Sequence, residues 1–332
     1  MFESIQFRNF KVLRDAVLPL QRFTLIIGPN SSGKSTALEG IHRLRQIENV
    51  DITTIRSIGA NRTDAVEIKV KSVESPGGEA YVLRWQPDRG ATSTFEPGGT
   101  SQGRQAAIAN AVRSFRVFNF DPSAICQPAG LQGELEMRPG GQGLAALLDR
   151  LRDVDAERFE ALSSEVSRWF PEFDRITFDV FGNQKGFALR IRRQQESVPA
   201  AALSEGTRIG IALLALAYLP RPPALVGIEE PEKGLHPRLL REVFDSLHRL
   251  SHPENYGENR NPVQVVATSH SPYFLDLFKD VPEEVVVAQR NGDGSATFSP
   301  LVRVPHLVEI LGSATLGEAW FTGVLGGVPV AP

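Results

Sequence analysis

The segment 28–35 constrains the fold of this chain more than any other, because it matches the pattern G-x-x-x-x-G-K-[ST] at every fixed position. An apolar run over 23–27 precedes it and predicts a buried strand. A glycine-rich turn that matches by chance would lack this strand and the helix that follows, so the sequence predicts a phosphate-binding loop. One face of that helix is predicted from apolar residues near helical spacing: Leu38, Ile41, Leu44 and Ile47.

Glycines in such a loop let the backbone turn tightly, so that its N–H groups and the helix N-terminus converge on phosphate oxygens. Lys34 is placed to neutralise the β- and γ-phosphates of a nucleotide, and the Ser35 hydroxyl is placed to ligate Mg²⁺. We therefore expect ATP and Mg²⁺ as cofactors. The residues expected to contact the nucleotide from this segment are Asn30, Ser31, Ser32, Gly33, Lys34, Ser35 and Thr36.

The bulk composition limits the class of protein. The 332 residues carry 36 basic and 39 acidic side chains, a net charge of −3, so contact with nucleic acid would need a local basic patch or a partner. Cys126 is the only cysteine, which excludes an internal disulfide and fits a reducing cytoplasm. No apolar stretch reaches the roughly 18–20 residues of a membrane span, and the N-terminus lacks the apolar core of a signal peptide. We expect a cytoplasmic protein without membrane contact.

Alternation of apolar and polar residues predicts antiparallel strands early in the chain. A strand at 5–7, with its continuation, precedes a turn near Arg14 and Asp15. A meander is predicted over 64–97, and a flexible loop follows it at 97–103.

The later part of the chain alternates strands and helices, which is typical of a parallel α/β sheet. A helical region is predicted over 144–170, and a hairpin is predicted to turn at Gly182 and Asn183. The strands predicted in the last third are 224–228, 263–268 and 284–288.

Polar residues follow two of these predicted strands. Glu229 and Glu230 come directly after the run 224–228. Neighbouring side chains of a strand point to opposite faces, so Glu229 can hold Mg²⁺ while Glu230 deprotonates the attacking water. His270 follows the run 263–268 and can sense the γ-phosphate, since α/β sheets bind ligands at the carboxyl ends of their strands. The alternative for the two glutamates is a solvated strand end, and the alternative for His270 is a structural histidine. Their position in the chain after a phosphate-binding loop favours a nucleotide site.

The segment Leu203-Ser204-Glu205-Gly206-Thr207 precedes an apolar helix and predicts a second anion site. In one monomer the two sites would serve two phosphates, whereas in a head-to-tail dimer both could grip the same phosphate. An ordinary serine N-cap is the structural alternative. The turn 231–237, directly after the paired acids, is suited to run along a dimer interface.

In this order the motifs resemble those of the ATP-binding cassette ATPases, and within them the small AAA-type ATPases of the SMC/RecF/OLD group. The resemblance is weak over about 90–195. We expect no SMC-type coiled-coil arms, and no nuclease module of the OLD type in the part of the sequence after His270. The segments that carry it are FRNFK at 7–11, GPNSSGKST at 28–36, LSEGT at 203–207, IEEPEKGLHP at 228–237, TSHSP at 268–272, LGEAW at 316–320 and GGVP at 326–329.

The resemblance implies an α/β P-loop NTPase fold, a two-lobed head with an antiparallel β subdomain and an inserted helical lobe. Lobe I would span 1–95 and 222–332 as the nucleotide-binding core, and lobe II would span about 96–221 and carry the signature motif. Two protomers would sandwich two ATP molecules, with Ser204 and Gly206 of one protomer facing the phosphate bound by Lys34 of the other.

The resemblance also implies roles for single residues. Arg8 and Asn9 would contact the base or ribose, Glu230 would be the catalytic base, and Gln127 or alternatively Gln132 would sense Mg²⁺. Glu229 stands where most cassette ATPases have aspartate, and His236 replaces the aspartate usual in the turn after the paired acids, so communication between the two sites can differ here. These departures limit what is carried over.

The function that fits best is an ATP-gated dimer switch acting with a partner effector, in DNA repair or in defence against mobile elements. The alternatives are the nucleotide-binding subunit of a transporter, an ATPase that regulates a partner protein without DNA contact, and a single-site P-loop kinase. DNA contact is a further possibility through two arginine clusters, which are otherwise solvated faces: Arg190, Arg192 and Arg193, and Arg150, Arg152 and Arg158.

Overall fold

The computed structural model describes residues 1–45, 47–48, 50–73, 79–96, 101–130 and 136–325. Gln132 and the segment 326–329 lie outside these described residues. The chain divides into two compact units. Unit 1 comprises Met1–Val117, Pro223–Glu230 and Ser251–Pro332, and unit 2 comprises Phe118–Pro222 and Pro231–Leu250. Relative to the predicted lobes, 96–117 lies with the first unit and 231–250 with the second.

The strands, in chain order, are β1 (Phe2–Phe10), β2 (Leu13–Pro19), β3 (Phe23–Ile27), β4 (Val66–Ser72), β5 (Ala80–Gln86), β6 (Gly90–Glu96), β7 (Arg116–Phe118), β8 (Ala129–Gly130), β9 (Phe173–Phe181), β10 (Gln184–Ile191), β11 (Ser197–Pro199), β12 (Leu225–Glu229), β13 (Gln264–Ser269), β14 (Val285–Arg290) and β15 (Ala296–Pro300). The α-helices are α1 (Lys34–Leu44), α2 (Ile52–Ile55), α3 (Gln102–Arg113), α4 (Pro122–Ile125), α5 (Leu144–Val154), α6 (Ala156–Trp169), α7 (Glu205–Ala217), α8 (Leu240–Ser251), α9 (Pro272–Leu275), α10 (Leu307–Ser313) and α11 (Leu316–Phe321).

A six-stranded sheet in the order β15-β14-β3-β13-β12-β7 forms the centre of unit 1. Its strands β14, β3, β13 and β12 are mutually parallel, and β15 is an antiparallel edge strand. All residues of β3 and β13 are buried, as expected of parallel strands covered on both faces. The predicted parallel α/β sheet and the P-loop NTPase fold class are confirmed.

The same unit holds a five-stranded antiparallel sheet in the order β2-β1-β4-β5-β6, which confirms the predicted meander. The turn predicted near Arg14 and Asp15 is wrong, because both residues lie within β2 and the chain reverses at Lys11 and Val12. Lys11 adopts a left-handed φ of +50° although it is not a glycine, so the residues give no turn signal there.

Helix α1 lies between these two sheets and begins at the P-loop lysine, Lys34. A Cβ on Gly40 would come within 2.5 Å of the Phe7 ring, so this glycine lets α1 pack directly on β1. On its other side Leu38 packs against Gly227 of β12. The prediction for Ile47 is wrong, since α1 ends at Leu44 and Ile47 is 48% exposed.

Unit 2 combines helices with the strand order β11-β10-β8 and β9 paired to β10. The predicted hairpin is confirmed, with Phe181 paired to Gln184 and Gly182 at a φ of +60°. The predicted helical region over 144–170 consists of α5 and α6, which are separated at Asp155. The side chain of Asp155 caps α6 by accepting the Arg158 backbone N–H at 3.1 Å.

Two further features of the helices bear on the predictions. Residues 97–100 of the loop predicted at 97–103 lie outside the described residues, and the prediction is wrong at its end, because α3 begins at Gln102. Among the described residues, none of the helices is both long and apolar enough to cross a bilayer.

Candidate nucleotide-binding site

The P-loop connects the carboxyl end of β3 to the first residue of α1. A Cβ on Gly28 would lie 2.5 Å from the Ala288 carbonyl oxygen and 2.6 Å from Ser32 Oγ, so only glycine fits there. Ser31 and Gly33 adopt left-handed φ values of +63° and +94°. Gly33 is the N-cap of α1 and offers no side chain to its first N–H groups. Those groups are therefore left to an anion, as in a phosphate site.

Two polar groups inside this loop support the fit to phosphate. Ser32 is 1% exposed, and its Oγ has no hydrogen-bond partner among the described residues. Lys34 is 5% exposed, and its Nζ donates to the Gly28 and Pro29 carbonyl oxygens at 2.8 and 2.9 Å. An orphaned buried hydroxyl and a buried cation at one helix N-terminus are donors that phosphate oxygens would satisfy.

Burial lowers the pKa of Lys34 to about 8, and the nearby charges of Glu230 and Glu229 offset part of this effect. Lys34 therefore remains mostly protonated at pH 7. It loses its proton as the pH rises past about 8, within the pH range in which enzymes are ordinarily assayed.

The acid pair follows β12 at the same edge of the sheet. Ser35 Oγ donates a hydrogen bond to Glu229 Oε1, which joins the first turn of α1 to the last residue of β12. Hydroxyl and carboxylate oxygens are the ligands that Mg²⁺ prefers, so Ser35 and Glu229 fit this ion.

Glu230 occupies a strained position between β12 and the turn that follows. Its φ is +44°, a left-handed value that costs a non-glycine residue about 1–2 kcal/mol. Its N–H lies 3.1 Å from the Thr268 carbonyl oxygen and 3.2 Å from Thr268 Oγ1. Backbone strain of this kind often occurs at functional sites, and here it directs the carboxylate toward β13.

His270 follows β13 and lies beside this carboxylate, with 3.6 Å between its Nε2 and Glu230 Oε1. Burial and then the charge of Lys34 lower the pKa of His270, while Glu230 and Glu229 oppose them. The imidazole is therefore neutral at pH 7 and can donate or accept a hydrogen bond. Strand register explains the convergence, because Glu229 pairs with Thr268 and Ser269 pairs with Ile27.

Comparisons with known sequences find matches to ATPase domains. Residues 141–276 match the family "AAA domain, putative AbiEii toxin, Type IV TA system", and residues 1–73 match "AAA ATPase domain". The OLD nuclease of Thermus scotoductus is 23% identical over 356 residues. That alignment covers 89% of this chain and 66% of the nuclease, so about a third of the relative has no counterpart in it.

Solved structures show the same fold. An Smc head bound to the C-terminal winged-helix domain of ScpA has a TM-score of 0.64 at 14% identity, over 90% of this chain and 96% of that chain. The SMC head domain of Thermotoga maritima gives 0.53 at 14% identity, over 90% and 98%. An Smc head derived from Pyrococcus furiosus, bound to the C-terminal domain of ScpA, gives 0.58 at 12% identity, over 94% and 99%.

The chain therefore resembles the ATPase domains of the SMC/OLD type, in two sequence segments and in its fold.

Two residues expected at the nucleotide of this ATPase domain are held by the antiparallel sheet. Arg8 is largely exposed and lies 4.0 Å from Asp15 and 3.9 Å from Glu67. Asn9 has a φ of +54° and donates to the Ala65 carbonyl oxygen at 3.0 Å. Their contact with a base or ribose stays a prediction.

The signature residues of the ATPase domain lie in unit 2. Ser204 is the N-cap of α7, and its Oγ accepts the Thr207 N–H at 3.0 Å, which bears out the N-cap interpretation within the monomer. A Cβ on Gly206 would lie 2.6 Å from the Gly234 carbonyl oxygen, so the signature packs against the turn after the acid pair. Their contact with a phosphate stays a prediction, as does the role of Gln127, which is exposed after α4.

Sequence reasoning missed Thr268. Its carbonyl oxygen and hydroxyl both lie within hydrogen-bond distance of the Glu230 N–H, so it holds the strained residue in place. The sequence alone gives no signal for this role, because Thr268 comes opposite Glu229 only through the register of β12 and β13.

Because Glu230 has a strained backbone, glycine at this position should stabilise the folded domain relative to alanine, the opposite of the usual order within a strand. Glu230→Gly should be more stable than Glu230→Ala by about 1 kcal/mol, because glycine adopts a positive φ without steric cost. Urea unfolding of the two variants measures the difference. At Glu229, in extended backbone, glycine should be the less stable of the same pair by about 0.5–1 kcal/mol. If the alanine variant is the more stable one at both positions, the backbone of Glu230 is not strained.

Proposed function

We propose that this domain binds ATP with Mg²⁺ and hydrolyses it, and that ATP binding closes a homodimer which hydrolysis reopens. The observation that carries the proposal is the convergence of three groups at one sheet edge: Lys34, the Ser35–Glu229 pair and the Glu230–His270 pair. These residues lie at or just after the carboxyl ends of three parallel strands, β3, β12 and β13, the position at which α/β sheets bind ligands.

Each of these residues would have its own role in the transfer of the terminal phosphoryl group of ATP to water. Lys34 would bind the phosphates, and Ser35 with Glu229 would hold Mg²⁺, which supplies charge neutralisation at the phosphate oxygens. Glu230 would accept the proton of the attacking water. His270, 3.6 Å away and neutral, would orient the Glu230 carboxylate and report the presence of the terminal phosphate.

The dimer part of the proposal rests on unit 2. Gly206 packs on Gly234, so the signature and the turn expected at a dimer interface form one continuous surface. The α7 N-terminus and Ser204 are exposed on it. Such a surface would add a second helix N-terminus to a phosphate already bound by the P-loop of a partner.

The dimer proposal predicts ATP-dependent self-association. With ATP and Mg²⁺, the Glu230→Gln protein should show twice the monomer mass in light scattering, because it does not hydrolyse the bound ATP. The double variant Glu230→Gln with Ser204→Arg should stay monomeric under the same conditions. Ser101→Arg, at the exposed N-cap of α3, is the matched control and should still dimerise. A Glu230→Gln protein that stays monomeric at saturating ATP would contradict the switch.

We further propose a partner protein as the effector, in DNA repair or in defence against mobile elements. The OLD relative is named a nuclease, which supports a role of this ATPase type in processes that act on nucleic acid. Direct DNA contact through the predicted arginine clusters has less support, because several of these arginines are ion-paired locally. Arg190 lies 2.8 Å from Asp174, Arg152 lies 2.7 Å from Asp149, and Arg158 lies 3.4 Å from Asp155.

A further inference from the structure

A second pocket, of about 330 Å³, lies in unit 1 at the amino ends of β3 and β14. Its lining includes Gln21 and Arg22 just before β3, and Glu283 and Glu284 just before β14. The P-loop leaves β3 from the opposite end, after five residues or about 17 Å of strand. The pocket is therefore distinct from the nucleotide site.

Glu284 is the unusual group in this pocket. It is 4% exposed, and its Oε2 is buried without a hydrogen-bond partner among the described residues. Burial, and then the charge of Glu283, raise the pKa of Glu284 to about 8. Arg22, a cation along the lining, is engaged by Glu254. A buried carboxyl with an unused oxygen is costly, and a bound cation would remove that cost.

His252 supplies a nitrogen at the spacing of a metal ligand. Its Nε2 lies 3.4 Å from Glu284 Oε1. Two ligand atoms on a tetrahedral ion, with bonds of about 2.0–2.2 Å, lie about 3.4 Å apart. The other ring nitrogen, Nδ1, lies 3.0 Å from Ser251 Oγ. Donation from Nδ1 to that hydroxyl directs the Nε2 lone pair toward Glu284, the arrangement that zinc-binding histidines use.

We propose that His252 and Glu284 form a binding site for a divalent transition ion of the zinc class, through Nε2 and the carboxylate, with water from the pocket completing the coordination. Imidazole with one carboxylate selects Zn²⁺ or Co²⁺ over Mg²⁺, which prefers oxygen ligands alone. The site thereby differs in ion and in position from the Mg²⁺ site at Ser35 and Glu229.

The test uses the full chain without an affinity tag, in the absence of nucleotide, titrated with Zn²⁺ against a chromophoric chelator. One ion per chain is expected, and His252→Ala and Glu284→Gln should each lower the affinity at least tenfold. His306→Ala is the matched control, because His306 and Glu309 form an exposed histidine–glutamate pair at 3.2 Å. Equal losses in the control, or no loss in either site variant, would overturn the proposal.

Proton release gives a readout that a structural role would not produce. At pH 7 the wild-type protein should release about one proton per Zn²⁺, because the ion displaces the proton of Glu284. Glu284→Gln should release none. If a variant fails to fold, which circular dichroism would reveal, the titration of the wild-type protein still tests the proposal, because a chain that binds no Zn²⁺ would overturn it. The result is independent of ATP binding, so its failure leaves the proposed function untouched.

Discussion

Glu230→Gln should lower the ATP turnover number by at least about 100-fold while ATP still binds as tightly as to the wild-type domain. The substitution keeps the size of the side chain and removes only its ability to accept a proton from water. It also removes one negative charge beside the phosphates, which cannot weaken the binding of an anion. Phosphate release under saturating ATP measures the turnover, and equilibrium titration with a fluorescent nucleotide measures the affinity.

The matched control is Glu309→Gln, which changes an exposed glutamate that also pairs with a histidine. Its turnover should equal that of the wild-type domain. His270→Ala should fall between the two, because it leaves the base in place and removes only the neighbour at 3.6 Å. A Glu230→Gln protein with turnover within tenfold of wild type would move the catalytic base elsewhere, with Glu229 as the first alternative.

The sequence predicts this site well because its parts obey a simple rule of parallel sheets. The P-loop, the acid pair and His270 each follow an apolar run, and parallel strands place their carboxyl ends at one edge. The sequence alone does not predict the contacts between the residues of the site. The bond from Ser35 to Glu229 depends on how α1 lies against β12, which is set by packing at Gly40 and Gly227.

The errors in the fold have a common physical origin. Lys11 adopts left-handed backbone although lysine does not favour that conformation, so its residue type does not mark the hairpin between β1 and β2. Ile47 continues a helical spacing of apolar residues beyond the end of α1, where periodicity alone cannot place a helix end. In both cases the local residue pattern does not determine where the element ends.

The structure of one chain does not test the proposed dimer, because the signature residues already have contacts within the monomer. Ser204 accepts the Thr207 N–H, and Gly206 packs on Gly234, whether or not a phosphate ever reaches them. Only an experiment with ATP present separates the N-cap from the anion site.

ATP affinity should fall as the pH rises from 7 to 9.5, by about 20–30-fold. Without nucleotide the pKa of Lys34 is about 8, so the free domain loses this proton as the pH passes 8. Bound phosphates stabilise the ammonium and raise its pKa, so binding above pH 8 must take up a proton. The free energy of that uptake grows by about 1.36 kcal/mol per pH unit. His270 does not contribute, because its pKa is lowered from 6.5 and it is already neutral.

Lys34→Arg separates this cause from a general effect of alkaline pH. Its guanidinium stays protonated throughout the range, so any affinity that remains should be flat between pH 8 and 9.5. Lys34→Ala should bind ATP at least 100-fold more weakly at pH 7, because the phosphates lose their buried cation. Calorimetry in two buffers of different ionisation enthalpy would count the protons taken up by the wild-type domain. A wild-type affinity that is constant up to pH 9.5 would mean that Lys34 keeps its proton, and that the loop carbonyls of Gly28 and Pro29 stabilise the ammonium more than burial destabilises it.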